Sequence, residues 1–487
     1  MSKVVKNIIH INANNGVYNL LEFLNVLERS NVSYVSWKNN HELNFALTGG
    51  CDLDILIFNT SICDFNIIAH QNGWIEMENP VAKFNSIYHY FKVNKDSTIN
   101  HLHVYFELIT GDGWIKEYNF PLKDFLFTNR ESDKRSGVFI LNRNAQAYIF
   151  FIRHLIKSGS LFSRYIYKRD LDSYREEWSK CGVSADDLHG IGPISIDDYI
   201  KDSGLNQKFQ QPKYMVAFNF RQYLRQYLRY KTLTLMFRRN ISFFRRLFNK
   251  LISRNKKKFI GGGIVVAISG SDGAGKSSMI VGLKDLYSSF LDCKIYALGK
   301  PQGKLLELAR SLIRRRDSIE SKHSHTLKKQ SSLKDAVLAC ILAFLRLRKA
   351  SIAVRKARGG NMVLVDRWPT NTHGKMDGPK IINYKTRNSL VSFLASVEQS
   401  IYEKIPEADL CFYLEVDIDD ALKRNHERVK DGKESDEEIV MRHQNNQQTI
   451  PICNKLIKFS NTGTYKEMLP KLAYDIWCEI ATFKQRS

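Results

Sequence analysis

Residues Gly270-Ser271-Asp272-Gly273-Ala274-Gly275-Lys276-Ser277 form a complete G-x-x-x-x-G-K-[ST] sequence. These residue types suit the capture of a phosphate chain. Glycines let backbone N–H groups wrap phosphate oxygens, and a helix opening at the end of the loop adds a partial positive charge. In such a loop Lys276 is the residue that reaches the β- and γ-phosphates, and the Ser277 hydroxyl is the one that ligates Mg²⁺. Two elements must position the loop. Ile264-Val265-Val266-Ala267-Ile268 is a β-branched apolar run that predicts a buried parallel strand, and Met279–Tyr287 predicts an amphipathic helix. Strand, glycine loop and helix in this order imply a bound nucleoside triphosphate. The expected cofactors are ATP and Mg²⁺, with Gly270, Ser271, Gly273, Ala274, Gly275, Lys276, Ser277 and Ser278 around the phosphates.

A second group of chemistry-bearing residues follows the apolar run Met362-Val363-Leu364-Val365, which ends in Asp366-Arg367-Trp368. A carboxylate at the carboxyl end of a parallel strand stands where ligands bind in open α/β sheets. Asp366 is therefore placed to hold Mg²⁺ or to orient an acceptor hydroxyl, and Arg367 to neutralise phosphoryl charge. A solvated Asp-Arg pair closing a strand is the plainer alternative. Leu410–Asp417 predicts a third strand, with Asp417 capping a helix over Ile418–Arg424. The charged stretch from Arg424 to Lys433 suits either a lid over the phosphates or a solvated helix face.

Taken together, the loop, the strand-end Asp366-Arg367-Trp368 and the run Asp409–Asp417 resemble the thymidylate kinase family of nucleoside monophosphate kinases across residues 259–487. The resemblance implies a P-loop parallel sheet with helices on both faces. It also implies that Asp272 faces the acceptor, that Asp366 and Arg367 are catalytic with Lys276, and that Asn461-Thr462-Gly463 closes over the adenine. The implied reaction is γ-phosphoryl transfer to a nucleoside monophosphate, dTMP by default. Two segments depart from the family. Leu298–Gly303 replaces its Arg-Glu-Pro-Gly-Gly-Thr segment, and Pro369–Pro379 replaces its acceptor wall with a polar loop bearing another acid. A sugar or lipid-linked glycan is the alternative acceptor.

Nearer the N-terminus, Gly50-Cys51-Asp52-Leu53-Asp54 places two acids at i and i+2 as an apolar strand, Leu53–Ile57, begins. Such residues project to one face, so Asp52 and Asp54 can share metal ions in a nucleotidyl-transfer site. The segment resembles the Gly-x-Asp-x-Asp signature of nucleotidyltransferases, which implies an α+β domain over residues 1–210. That family also uses a glycine-serine turn upstream and a third acid. Here Ser36-Trp37-Lys38-Asn39-Asn40 stands upstream, and His101-Leu102-His103-Val104-Tyr105-Phe106-Glu107 supplies histidines on the later strand. A domain that binds substrate without nucleotidyl transfer is the alternative to an active second site.

The chain has 487 residues and 43% hydrophobic residues, enough for two or three packed domains. Its net charge of +23 is concentrated: residues 221–258 hold 13 Lys/Arg and no Asp/Glu. Within this basic connector, assigned to 211–258, Leu233, Phe237, Ile241, Phe244, Phe248 and Ile252 recur at helical spacing among arginines. Three readings fit: a helix lying on an anionic membrane, a helix packed between domains, and a phosphate-binding surface for nucleic acid. The sequence also leaves a homodimer open. Scattered cysteines without a C-x-x-C pair point to a reducing cytoplasm, and no signal peptide is expected at Met1–Lys6. Ala336–Leu345, the longest apolar run, is too short to span a bilayer. The expected location is cytoplasmic, with peripheral attachment to the inner face of the membrane where the connector binds it. His323 and His325 read as solvated loop.

Overall fold

The computed structural model describes residues 14–113, 115–205, 209–251, 256–271, 273–299, 333–381, 389–426, 436, 440 and 450–486. Asp272, Lys300–Gly303, Ile252, His323, His325 and residues 427–433 of the charged stretch, about which the sequence raises expectations, lie outside them. Contacts divide the chain into two units, Met1–Asn255 with Ala473–Ser487, and Lys256–Leu472. The connector through residue 255 thus groups with the N-terminal unit, as do the last residues of the chain, which the sequence alone places with the kinase-like part.

The first unit is built on a mixed sheet. Its strands are β1 (Tyr34–Ser36), β2 (Leu53–Ile57), β3 (Ile75–Glu78), β4 (Ile87–Val93), β5 (Ile99–Tyr105), β8 (Arg130–Ser132) and β9 (Phe139–Leu141), with β6 (Leu108–Thr110) and β7 (Tyr118–Phe120) forming a separate hairpin. Spatial order within the unit runs β3-β4-β5-β2-β1-β9-β8. The period of two separates its faces. Leu53, Ile55, Ile57, Leu102 and Val104 enter a core with helices Asn14–Arg29 and Ile62–Gln71. Leu56 and Tyr105 enter another with the almost wholly buried helix Arg143–Ser158. That helix starts where the Asn142 side chain accepts from Ala145 N at 3.0 Å. It leads into helices Leu161–Arg169 and Leu171–Cys181.

Arg221, on helix Tyr214–Tyr223, ties the connector to this core. Its guanidinium lies 3.3 Å from Asp112 and 2.5 Å from Glu117, both on the β6–β7 loop, and donates to Ile156 O at 2.9 Å. Helix Thr232–Leu251 follows.

The second unit holds a five-stranded sheet of β10 (Ile264–Gly270), β11 (Cys293–Ala297), β12 (Met362–Asp366), β13 (Ala408–Glu415) and β14 (Cys453–Ser460), in the order β11-β12-β10-β13-β14. Every pairing is parallel. Helices Lys276–Tyr287 and Leu333–Arg358 pack against it. The latter sets Ala343, Ala350, Ala353 and Ala357 against Val265, Ala267, Val363 and Val365, small residues that admit a close helix–sheet approach. The strands after β10 fill first one side of it and then the other. Its carboxyl end is therefore the switch point where open α/β sheets bind ligands.

Candidate functional site

The glycine loop leaves β10 at that switch point. Gly273 (φ 84°) and Gly275 (φ 76°) adopt left-handed backbone, which a side chain resists. Close packing demands glycine as well: a Cβ at Gly273 would stand 3.0 Å from Ala421 O, and one at Gly275 3.1 Å from Asn461 Nδ2. Helix Lys276–Tyr287 opens directly after Gly275, so its first-turn amides face the loop. The Lys276 side chain is buried and donates to Ser271 O, while Ser277 and Ser278 are exposed.

Asp366 ends β12 in register with Ile268 of β10. Its Oδ1 is buried and has no hydrogen-bond partner among the described residues. Such an oxygen suits a ligand beyond the protein, because leaving it unsatisfied costs about 1–3 kcal/mol. A carboxylate oxygen and the exposed Ser277 hydroxyl are both of the hard-oxygen type that Mg²⁺ takes.

Arg367 follows at φ 66°, a left-handed conformation costing about 1–3 kcal/mol for a residue with a side chain. Its N–H donates to Ile268 O at 3.0 Å, which helps hold that turn. The guanidinium lies 3.5 Å from Asp377 Oδ2, and the Arg367 stem runs so close to Gly299 that a Cβ there would meet it at 2.5 Å. Asp377 also accepts from Arg346 at 3.1 Å. Arg346 is 2% exposed and donates further to Leu298 O, Gly299 O and Tyr402 OH. The acid of the departing loop therefore clamps Arg367 beside the strand end. Sequence reading missed Arg346, which is one arginine among several on an alanine-rich helix and carries no motif.

On the far side of the loop, Asn461 is buried and its side chain donates to Ala274 O at 2.8 Å. Arg424 donates to Asn461 O at 2.8 Å and to Gly463 O at 3.3 Å. Asn461 thus braces the glycine loop itself. The predicted cap at Asp417 is visible in its backbone, which accepts from Ala421 N at 2.9 Å.

The first unit gathers a second cluster. β2 and β5 run parallel with Asp54 opposite His103, so a histidine occupies the register position facing the acid pair. Asp52, Asp54 and His103 offer ligand atoms within 4.8 Å of one another, and no other such group of three exists among the described residues. His103 Nδ1 lies 3.0 Å from Asp54 and 3.5 Å from Asp52. His89 stacks on His103 with ring centroids 4.4 Å apart. The upstream segment that matched no family pattern supplies two further partners. Lys38 Nζ lies 2.8 Å from Asp54 Oδ1, and Asn39 Nδ2 donates to Asp54 Oδ2 at 3.2 Å. Arg153, paired with Glu177 at 2.7 Å, donates in turn to Asn39.

Burial works against the charge of Asp54, but Lys38 and His103 hold its carboxyl below the ordinary range. For Asp52 burial is likewise outweighed, by the His103 hydrogen bond and the charges of His101 and Lys38. Both acids are thus ionised near neutral pH. A metal ion bound at Asp54 Oδ1 would meet the Lys38 ammonium there.

No known family profile matches the sequence, and no curated protein matches it. Among solved structures, thymidylate kinase from Candida albicans is 15% identical over 46% of this chain and 94% of its own, with a TM-score of 0.27. The protein APE1195 is 14% identical over 46% of this chain and 98% of its own, with a TM-score of 0.22.

Proposed function

We propose that the second unit is an ATP-dependent phosphotransferase. The observation that carries this reading is the juxtaposition of a complete phosphate loop on β10 with Asp366 at the end of adjacent β12, one oxygen of which has no partner among the described residues. Lys276 and the loop amides hold the phosphates, and Arg367, clamped by Asp377, meets the charge that develops on the moving phosphoryl group. Ser277 and Asp366 would hold Mg²⁺, which supplies charge neutralisation between the phosphates when bound. Asp272 is assigned the acceptor side from its place in the loop sequence. The protein's part in such chemistry is positioning and electrostatics rather than covalent catalysis.

The acceptor is a nucleoside monophosphate, dTMP being the first to try. The loop from Trp368 to Ile381, tied down through Asp377, also suits a sugar or lipid-linked glycan hydroxyl. Turnover of γ-³²P-ATP with Mg²⁺ against dTMP, other nucleoside monophosphates and a lipid-glycan extract separates these. Label in dTDP establishes a nucleotide kinase, and label in the glycan fraction alone a redirected one. No labelled acceptor, with ATP binding lost as well, would sink the phosphotransferase reading.

The Asp52–Asp54–His103 cluster favours a second reading, nucleotidyl transfer by the first unit. Pyrophosphate release that vanishes in an Asp52→Asn/Asp54→Asn variant supports it. Release unaffected by the double change rules it out.

A further inference from the structure

Helix Thr232–Leu251 turns Leu235 and Ser242 inward, and the rest of its described side chains are half-buried or exposed, among them an apolar group on the opposite side. Leu235 (5% exposed) and Ser242 (8%) face the protein. At 100° per residue these two lie within ~20° of each other around the helix, and Leu233 and Phe237 lie on the opposite side. Leu233 is 82% exposed, Phe237 67% and neighbouring Met236 58%; Phe244, on the same line, is 66% exposed. Of the stripe read in the sequence, Leu233, Phe237 and Phe244 are exposed and Ile241 is half-buried.

Arginines flank the ridge. Arg238 and Arg245 are exposed on one flank of the helix, each ~100° around it from the Phe that precedes it, and Arg238 stacks over Tyr230 at 4.2 Å. Residues 221–258 carry 13 Lys/Arg and no acid, so nothing within the segment neutralises them. An apolar ridge with a cationic flank matches the boundary between acyl chains and anionic headgroups. A nucleic acid would use the cations but has no need of an aliphatic ridge. No described helix is long and apolar enough to cross a membrane.

We propose that helix Thr232–Leu251 docks the protein on an anionic lipid bilayer, inserting Leu233 and Phe237 beneath headgroups held by Arg238 and Arg245. The test is sedimentation of the full chain with vesicles of phosphatidylcholine and phosphatidylglycerol, 7:3, against pure phosphatidylcholine. Binding is expected to the anionic vesicles and to fall at least about tenfold in Leu233→Glu/Phe237→Glu and in Arg238→Glu/Arg245→Glu. All these side chains are exposed, so circular dichroism should show the fold retained. A Phe237→Trp variant adds a reading that does not depend on loss: the fluorescence of the introduced indole should shift blue on vesicle addition and be quenched by lipids brominated near the headgroup. Equal binding by Leu233→Glu/Phe237→Glu overturns the proposal. So does a salt-sensitive affinity for RNA or heparin that exceeds vesicle binding and ignores the apolar substitutions. An emission spectrum of the Phe237→Trp variant unmoved by vesicles overturns it as well.

Discussion

Asp366 stands at the carboxyl end of β12 beside a glycine loop, and one of its oxygens is buried without a hydrogen-bond partner among the described residues. Asp54, on β2 of the first unit, has a side chain 0% exposed, and its Oδ1 likewise lacks a hydrogen bond among the described residues. That oxygen is ion-paired, however, with Lys38 at 2.8 Å and His103 at 3.0 Å, and Asn39 donates to the other oxygen at 3.2 Å. Both are acids on parallel-paired strands, and sequence reading gave both to metal ions. The difference lies in who compensates the charge. Around Asp54 the fold supplies its own cation. At Asp366 Oδ1 the described residues supply no donor, which fits an acid whose partner comes with the substrate.

The largest effects should therefore fall on the second unit. Lys276→Ala removes the cation of the loop, and γ-phosphoryl transfer should drop by about 10³-fold, with circular dichroism unchanged. Wild-type turnover in this variant would break the comparison at its root. Asp366→Asn keeps the shape and removes the charge, so kcat should fall by about 10²-fold while ATP affinity, followed by fluorescent nucleotide titration, changes little. An equal loss of nucleotide binding would mean that Asp366 holds the loop together and does not serve the reaction.

The phosphate loop was legible because its conformation is written into residue types: left-handed backbone at Gly273 and Gly275 leaves few alternatives to glycine. Strands β10 and β12 were legible for a related reason, since a strand buried on both faces reads as an uninterrupted apolar run. Lys38 was not. It sits in a segment that fits no pattern, and its meaning comes from β1 pairing antiparallel with β2, a contact that no local spacing announces. Arg346 and Asp377 are 31 residues apart and meet only in the folded chain. His103 lies between these cases: its place on the later strand was legible, and only the β2–β5 register brought it opposite Asp54.

Lys38→Met sharpens the comparison from the other side. It leaves Asp54 buried with Asn39 and His103 alone, and the first unit should lose about 2 kcal/mol in urea unfolding, less than a fully buried pair would because Lys38 is 15% exposed. Adding Mn²⁺ or Mg²⁺ to this variant then divides the two readings of the cluster. Recovery of stability means that the acids can take a metal once the lysine is gone. No recovery leaves a polar pocket whose charges serve substrate or fold. In the second unit the matching change is Asp377→Asn, which loosens Arg367 without touching the glycine loop. It should lower kcat about tenfold and leave the KM for ATP in place, as expected of a residue that positions a group acting on the transition state.

The smallest effect tests whether self-compensation is general in the first unit. His154 is 1% exposed, and its Nε2 lies 2.8 Å from Ser203 O. A carbonyl only accepts, so Nε2 carries the hydrogen and Nδ1 is left to accept from Tyr167 OH. A neutral ring satisfies both contacts, whereas a second proton would leave Tyr167 without its acceptor. Burial, opposed by the Ser203 bond, lowers the His154 pKa to about 4. An unfolded histidine titrates near ~6.5, so between these values the unfolded chain binds the extra proton and the folded one does not. Stability must then fall as pH drops below about 6.5, by roughly 1 kcal/mol on reaching pH 5.5. The carboxylates of the unit add slopes of their own at lower pH, and they are common to wild type and variant. His154→Gln keeps a donor and an acceptor but cannot titrate, so its stability between pH 7 and 5.5 should be flatter than wild type by that amount. Parallel curves would mean that His154 accepts its proton in the folded state, and that the first unit tolerates a buried charge it does not compensate.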